Sequence, residues 1–289
     1  MATGSDLVAS DKKIAEGLEH LRQAEKCMKT SLFKWKPDLD GAAFEYSKAA
    51  TSFRNAKAFE QAKDASFKAA DAHIQLNSPF HAAKSYEQAA IICKENKELE
   101  KAVELMEKAA TMFQEHGTPD TAALTLDKAA KMVEMTHLDQ AINLYIRACD
   151  VAELEADRER QCAEYIGKAA RLMVRSKRYE EALATLKREI EFYAEVENLA
   201  KVNKLILGSL MIHLTEGDYV AADRYFQEAL CVNGFCESEE AVACERLLKA
   251  YDEGDEEAAR QVLSLPLVKY LDNCFARLAR DMVIPGVLQ

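Results

Sequence analysis

Residues 78–93 read SPFHAAKSYEQAAIIC, and most of the chain is this stretch rewritten every twenty residues. Ser78 can open a helix and Pro79 suits its first position, where no backbone N–H is required. Ala82, Tyr86, Ala89, Ala90 and Cys93 then recur at helical spacing on one face. Counted outward from Ala82, alanine stands at Ala42, Ala62, Ala102 and Ala122, then at Ala141, and after Cys162 at Ala182 and Ala222. Seven residues further on the small position reads Ala49, Ala69, Ala89, Ala109, Ala129, Ala148 and Ala169, lapses at Glu189 and returns at Ala229. Small residues let neighbouring helices approach closely, while Tyr46, Tyr86, Met106, Leu126 and Tyr145 between them fill the grooves. Each unit therefore holds one helix and a short connection. Two units make a hairpin of about forty residues, within the range of helical solenoids.

The spacing predicts helices over 39–56, 59–76, 79–96, 99–116, 119–135, 138–154, 157–176, 179–197, 199–216 and 219–231, preceded by one over 10–29. Gly117 is positioned to end a helix, and Thr118-Pro119 repeats the opening of Ser78-Pro79. Past Cys231 the rhythm fails, and three shorter helices over 241–251, 256–263 and 267–282 read as a terminal cap. The expected architecture is an all-α, tetratricopeptide-like solenoid of antiparallel helix hairpins over 1–231, closed by an acidic C-terminal helical bundle over 232–289. The 30–38 segment, TSLFKWKPD, interrupts the start of the array. In it Leu32, Phe33 and Trp35, the single tryptophan, alternate with Lys34 and Lys36 before Pro37.

Composition narrows the function. Only 10 Gly and 5 Pro occur in 289 residues, and no alternating apolar pattern suggests a sheet. The eight cysteines form no CxxC pair, and Cys93, Cys149, Cys162, Cys231 and Cys244 fall on periodic faces, as expected of reduced core thiols in a cytoplasmic protein. No apolar run approaches the roughly 18 residues needed to span a bilayer. The net charge of −11 is graded, with residues 1–100 balanced and the remaining thirds acidic, which speaks against a nucleic-acid partner. Glycines are too sparse for a phosphate-binding loop, and the six histidines show no metal-ligand spacing. No enzyme activity, cofactor, metal or small-molecule substrate is expected.

A basic series stands out on successive helices: Lys128 and Lys131, then Lys168, Arg171 and Arg175, then Lys201 and Lys204. Three- and seven-residue spacings put each set on one side of its helix, as a positive stripe would require for an acidic, elongated partner. Reversal of Lys168 and Arg171 to Glu is expected to weaken such docking and spare stability.

Three longer passages carry a more specific likeness. GLEHLRQAEKCMKTSLFKWKPDLDGAAFEYSKAATSFRNAKAFEQAKDA, HGTPDTAALTLDKAAK and RLLKAYDEGD together resemble the soluble NSF attachment protein (SNAP) family, more the gamma form than the alpha or beta forms. The gamma likeness rests on Phe33-Lys-Trp-Lys-Pro37 in place of a glycine-rich, double-phenylalanine loop. The resemblance implies an adaptor at membranes of the secretory pathway that grips a SNARE four-helix bundle and recruits the hexameric ATPase NSF. It places basic SNARE contacts at Lys168 and Lys204, to which the shared faces add Lys128, Lys131 and Arg171. Leu32, Phe33, Lys34, Trp35 and Lys36 become a weak, peripheral membrane contact. Asp252, Glu253, Asp255, Glu256 and Leu288 become the NSF-facing acidic end. Two departures stand out: Leu124 occupies a position that is basic in alpha forms, and the chain stops at Pro285-Gly-Val-Leu-Gln289 without an acidic, leucine-containing tail. The competing reading is a general helical-repeat, peptide-binding scaffold, for which a period nearer 34 residues is expected.

Overall fold

The computed structural model describes residues 4–30 and 35–285, with side chains from residue 9 onward. Among these residues the fold is all-α. Two compact units divide it, residues 1–155 and 156–289.

The first unit contains α1 (Gly4–Met28), α2 (Leu39–Asn55), α3 (Phe59–Gln75), α4 (Pro79–Glu95), α5 (Leu99–Glu115), α6 (Pro119–Val133) and α7 (Leu138–Ala152). Each helix packs on the next along the chain. The alanine register is the buried register: Ala42, Ala49, Ala62, Ala69, Ala82, Ala89, Ala102, Ala109, Ala122 and Ala129 are all fully buried. Phe53, Phe113, Met106 and Leu126 fill the spaces those alanines leave, each worth about 1.5–3 kcal/mol in apolar burial. The helix ahead of the array belongs to the same core, because Ile14 and Leu21 pack against the cluster of Ala49, Ala50, Phe53, Ala62, Ala65 and Ile92.

The second unit contains α8 (Glu159–Arg175), α9 (Tyr179–Glu195), α10 (Leu199–Thr215), α11 (Tyr219–Ala229), α12 (Glu239–Asp252), α13 (Glu256–Leu263), α14 (Pro266–Lys269) and α15 (Asn273–Asp281). The C-terminal helices share the packing of the array: α12 lies on α10 and α11, and α15 on α10 and α8. Hence α10 is buried nearly all round, with Leu205, Ile206, Leu207, Leu210, Met211 and Ile212 inside. The single helix expected over 267–282 is two. Tyr270 to Asp272 break it, burying Leu271 and turning Asp272 into extended backbone (φ −54°, ψ 146°).

One turn makes most of the connections. Lys57, Asn77, Lys97, Asp157, Lys177 and Glu197 adopt the left-handed conformation, as do Gly117, Gly217 and Gly254. At all of these but Asp157, which lies in the longer α7–α8 junction, the following residue returns its N–H to a carbonyl in the last turn of the helix just ended, as Ala58 does to Phe53 (2.9 Å), Glu98 to Cys93 (2.9 Å) and Thr118 to Phe113 (2.9 Å). That residue is also the N-cap of the next helix, so three residues end one helix and start another. Ser78 therefore caps α4 by backbone geometry, its hydroxyl lying 2.9 Å from Nδ1 of His81 instead. The α6–α7 junction lacks the left-handed residue and closes with His137 N–H on the Val133 carbonyl (2.7 Å). Here α6 is two residues shorter than α5 (15 against 17) and the connection one residue longer, which is why the register steps by nineteen from Ala122 to Ala141.

Four of the five cysteines assigned to core faces are buried; Cys231 is exposed because α11 ends at Ala229. No described helix is long and apolar enough to cross a membrane.

Candidate partner-binding faces

In the first unit the even-numbered helices carry the residues of interest. Gln88 of α4 donates to Thr51 of α2 (3.2 Å), and Lys128 of α6 reaches Glu87 of α4, so side chains link these helices directly. Lys84 and Lys128 close on the two oxygens of Glu87 from either side, at 2.9 and 3.0 Å. The Thr125 hydroxyl also lies 3.0 Å from that carboxylate. Burial alone would raise the Glu87 carboxyl; hydrogen bonds and charge from Lys84 and Lys128 outweigh it and hold the group below the usual carboxylate range. One turn along α6, Lys131 donates to Asp127 at 2.6 Å. The burial is lopsided. The side chains of Glu87 and Asp127 are 8% and 3% exposed, those of Lys84, Lys128 and Lys131 46%, 43% and 55%. Each pair is therefore a short dipole with its ammonium end toward water.

Apolar groups share the even helices. Leu124 is 46% and Phe44 59% exposed, and the Lys48 ammonium sits 4.1 Å above the Phe44 ring. Phe44, Lys84 and Leu124 are spaced by forty residues and hold equivalent positions in successive hairpins. Lys84 also lies 5.0 Å from the Phe113 ring centre, a cation–π contact that further fixes it.

In the second unit Lys168 lies half-buried on α8, 5.1 Å over the Tyr165 ring, and Lys204 is exposed on α10. Arg171 departs from the expectation of a surface cation. Its guanidinium donates twice to Glu189 of α9, at 2.6 and 2.8 Å, and once to Asp272 ahead of α15, at 2.5 Å. The Phe275 ring lies 5.3 Å away. Burial would pull the guanidinium down, yet the charges of Glu189 and Asp272 raise it, so Arg171 stays protonated. Burial pushes the Glu189 carboxyl up against the pull of the same arginine. Arg171 thus ties α8, α9 and the α14–α15 junction together with three of its five N–H donors, and its side chain is 22% exposed, well below that of a rim lysine.

Asp252, Glu253, Asp255 and Glu256 converge at the α12–α13 turn around left-handed Gly254. All four are exposed, and Asp255 accepts the Ala258 N–H (2.9 Å) as the cap of α13. Arg260, four residues after Glu256, donates to the carbonyls of Met282 (2.8 Å) and Arg280 (3.3 Å), closing the C-terminal end of α15. Leu288 lies outside the described residues, as do Leu32, Phe33 and Lys34 of the first loop. Trp35, at 88% exposure, and the exposed Lys36 are its described members.

The buried partners Glu87, Asp127 and Glu189 escaped sequence reading, which treats carboxylates in a charged helix as solvated. A signal existed: Glu87 and Asp127 are forty residues apart, one position before Gln88 and Lys128, and Glu189 stands where the register demands alanine.

Comparison with known proteins agrees with this architecture. The family model for soluble NSF attachment protein, SNAP, matches residues 15–264. A gamma-soluble NSF attachment protein of Dictyostelium discoideum is 30% identical over 97% of this chain and 86% of its own length. One from Arabidopsis thaliana is 28% identical over 91% and 90%. The alpha-soluble NSF attachment protein of Homo sapiens is 25% identical over 76% of this chain and 70% of its own. With the match spanning the hairpin array and reaching into the C-terminal helices, this chain belongs to the soluble NSF attachment protein family.

Proposed function

We propose that this chain is a non-enzymatic adaptor that binds SNARE four-helix bundles and recruits the ATPase NSF for their disassembly during vesicle-mediated transport. Family membership over residues 15–264 carries the reading. Outward-facing ammonium groups at Lys84, Lys128 and Lys131, with Lys168 and Lys204 in the second unit, suit the acidic surface of a helical bundle. The exposed carboxylates of the α12–α13 turn suit a basic surface on the ATPase. Arg171 keeps the second unit's helices in register and is assigned no direct contact. Trp35 and Lys36, with their neighbours Leu32, Phe33 and Lys34, supply a weak membrane contact, which tethering by a bound bundle makes effectively intramolecular.

The test is co-capture on an immobilised, soluble SNARE bundle. NSF in non-hydrolysed ATP should be retained only when this chain is added, and release of the bundle should follow when hydrolysis is allowed. Lys128→Glu with Lys131→Glu should reduce retention of the chain, and Asp252→Lys with Glu256→Lys should reduce retention of NSF alone. Failure of the wild-type chain to be captured would overturn the reading.

A further inference from the structure

The lysines of α4 and α6 are not simply a positive stripe. Around them sit nearly as many carboxylates as ammoniums, so the net charge of the face is small: Lys84 and Lys128 share Glu87, and Lys131 is paired with Asp127. Long-range attraction from such a face is correspondingly weak. What the arrangement supplies instead is position. A free lysine loses rotamer freedom when it docks, and three of them lose it together. Here the loss is taken on folding. Two buried carboxylates fix three ammonium groups on side chains about half open to water; Lys128 and Lys131 follow Leu124 by four and seven residues on α6, and Lys84 holds the equivalent position of Leu124 one hairpin earlier. An ammonium has three N–H donors, and Lys84 and Lys128 each commit one of theirs to Glu87.

Resting on the adaptor reading above, we propose that Glu87 and Asp127 are positioning residues. They hold Lys84, Lys128 and Lys131 as a preorganised donor array around an apolar post, Leu124, and so select a helical-bundle surface that presents carboxylates beside exposed apolar side chains over one that is merely acidic.

Charge counting and positioning make opposite predictions for Glu87→Gln and Asp127→Asn, since each removes a negative charge from the face. The measurement is titration of a soluble SNARE four-helix bundle at two salt concentrations, with polyglutamate as the merely acidic control and the unfolding midpoint followed in parallel. Each variant should bind the bundle roughly three- to tenfold more weakly, while polyglutamate binding stays level or tightens. In a Lys84→Met, Lys128→Met background Glu87→Gln should have no further effect, because nothing is left to position. Should Glu87→Gln fail to fold, Asp127→Asn against a Lys131→Met background gives the same comparison. Tighter or unchanged bundle binding overturns the inference, as does a loss that persists in the Met backgrounds. If the Lys128→Glu, Lys131→Glu chain binds as well as wild type, the docking assignment of this face falls and the inference with it; if only the lysine reversals weaken binding, the inference alone falls.

Discussion

A Cβ on Gly167 would stand 2.6 Å from Oε1 of Glu189, so any larger residue on α8 there would push the carboxylate from the place where it meets Arg171. The two departures from the repeat answer each other. Where the register asks for a small residue on α9 the chain places a carboxylate, and the volume is recovered from α8. The exchange lets the half-buried Arg171 satisfy the buried Glu189, and through Asp272 it brings the last helices onto α8.

Removal of that arginine should therefore be felt in folding. Taking one partner from a buried pair typically costs about 3–5 kcal/mol, because the other charge is left uncompensated. Arg171→Met should lower the denaturant midpoint by a corresponding amount, whereas Lys204→Glu, on an exposed position, should stay within about 0.5 kcal/mol of wild type. Equal effects of the two in chemical denaturation would contradict the clasp.

The left-handed turns give a prediction of the opposite sign. A non-glycine residue in this conformation carries about 1–2 kcal/mol of strain, part of which glycine returns as chain entropy in the unfolded state. Lys97→Gly (φ 64° in the native chain) should raise stability by about 0.5–1 kcal/mol. Lys94→Gly, three residues earlier inside α4, should lower it by about 1 kcal/mol. Thermal unfolding of the pair checks both signs.

Acid should weaken the fold before its carboxylates titrate. Burial and the neighbouring His81, 5.3 Å between rings, hold His73 below its ordinary value of 6.5, against a small pull from Asp40. Burial does the same to His213 against Glu216 and Asp218. Folded-state values depressed in this way mean that the unfolded chain binds more protons. The stability they secure is complete above about pH 6.5 and declines as the pH falls through the folded values. Unfolding midpoints between pH 8 and 5 should slope downward, and His73→Gln with His213→Gln should flatten that slope.

The helices were legible because a twenty-residue alanine register is a packing code, and packing alone decides where Ala82 or Ala109 can go. The last helices were less so. The break at Tyr270 to Asp272 has one local mark, Asp272 at the N-cap of α15, and one distant partner, Arg171, which lies a hundred residues away in sequence and beside Asp272 in space. The same distance hid the role of Arg171, whose spacing from Lys168 looked like that of a second surface cation. Lys128 is half-exposed, and its carboxylate partner on another helix, Glu87, changes what that charge can do.

The junction between α6 and α7 has an implication for how such a chain can change length. A residue deleted inside a helix rotates everything beyond it by roughly 100°, swinging the alanine face out of the core. A net residue lost at a helix end and its connection, as between α6 and His137, leaves the face of the next helix inward, with Ala141, Tyr145 and Ala148 buried. Insertions and deletions in this lineage should accordingly gather at the three-residue turns, and the next junction, running from Glu153 to Arg158, takes back what the first gave up: the register there steps by twenty-one, from Ala141 to Cys162.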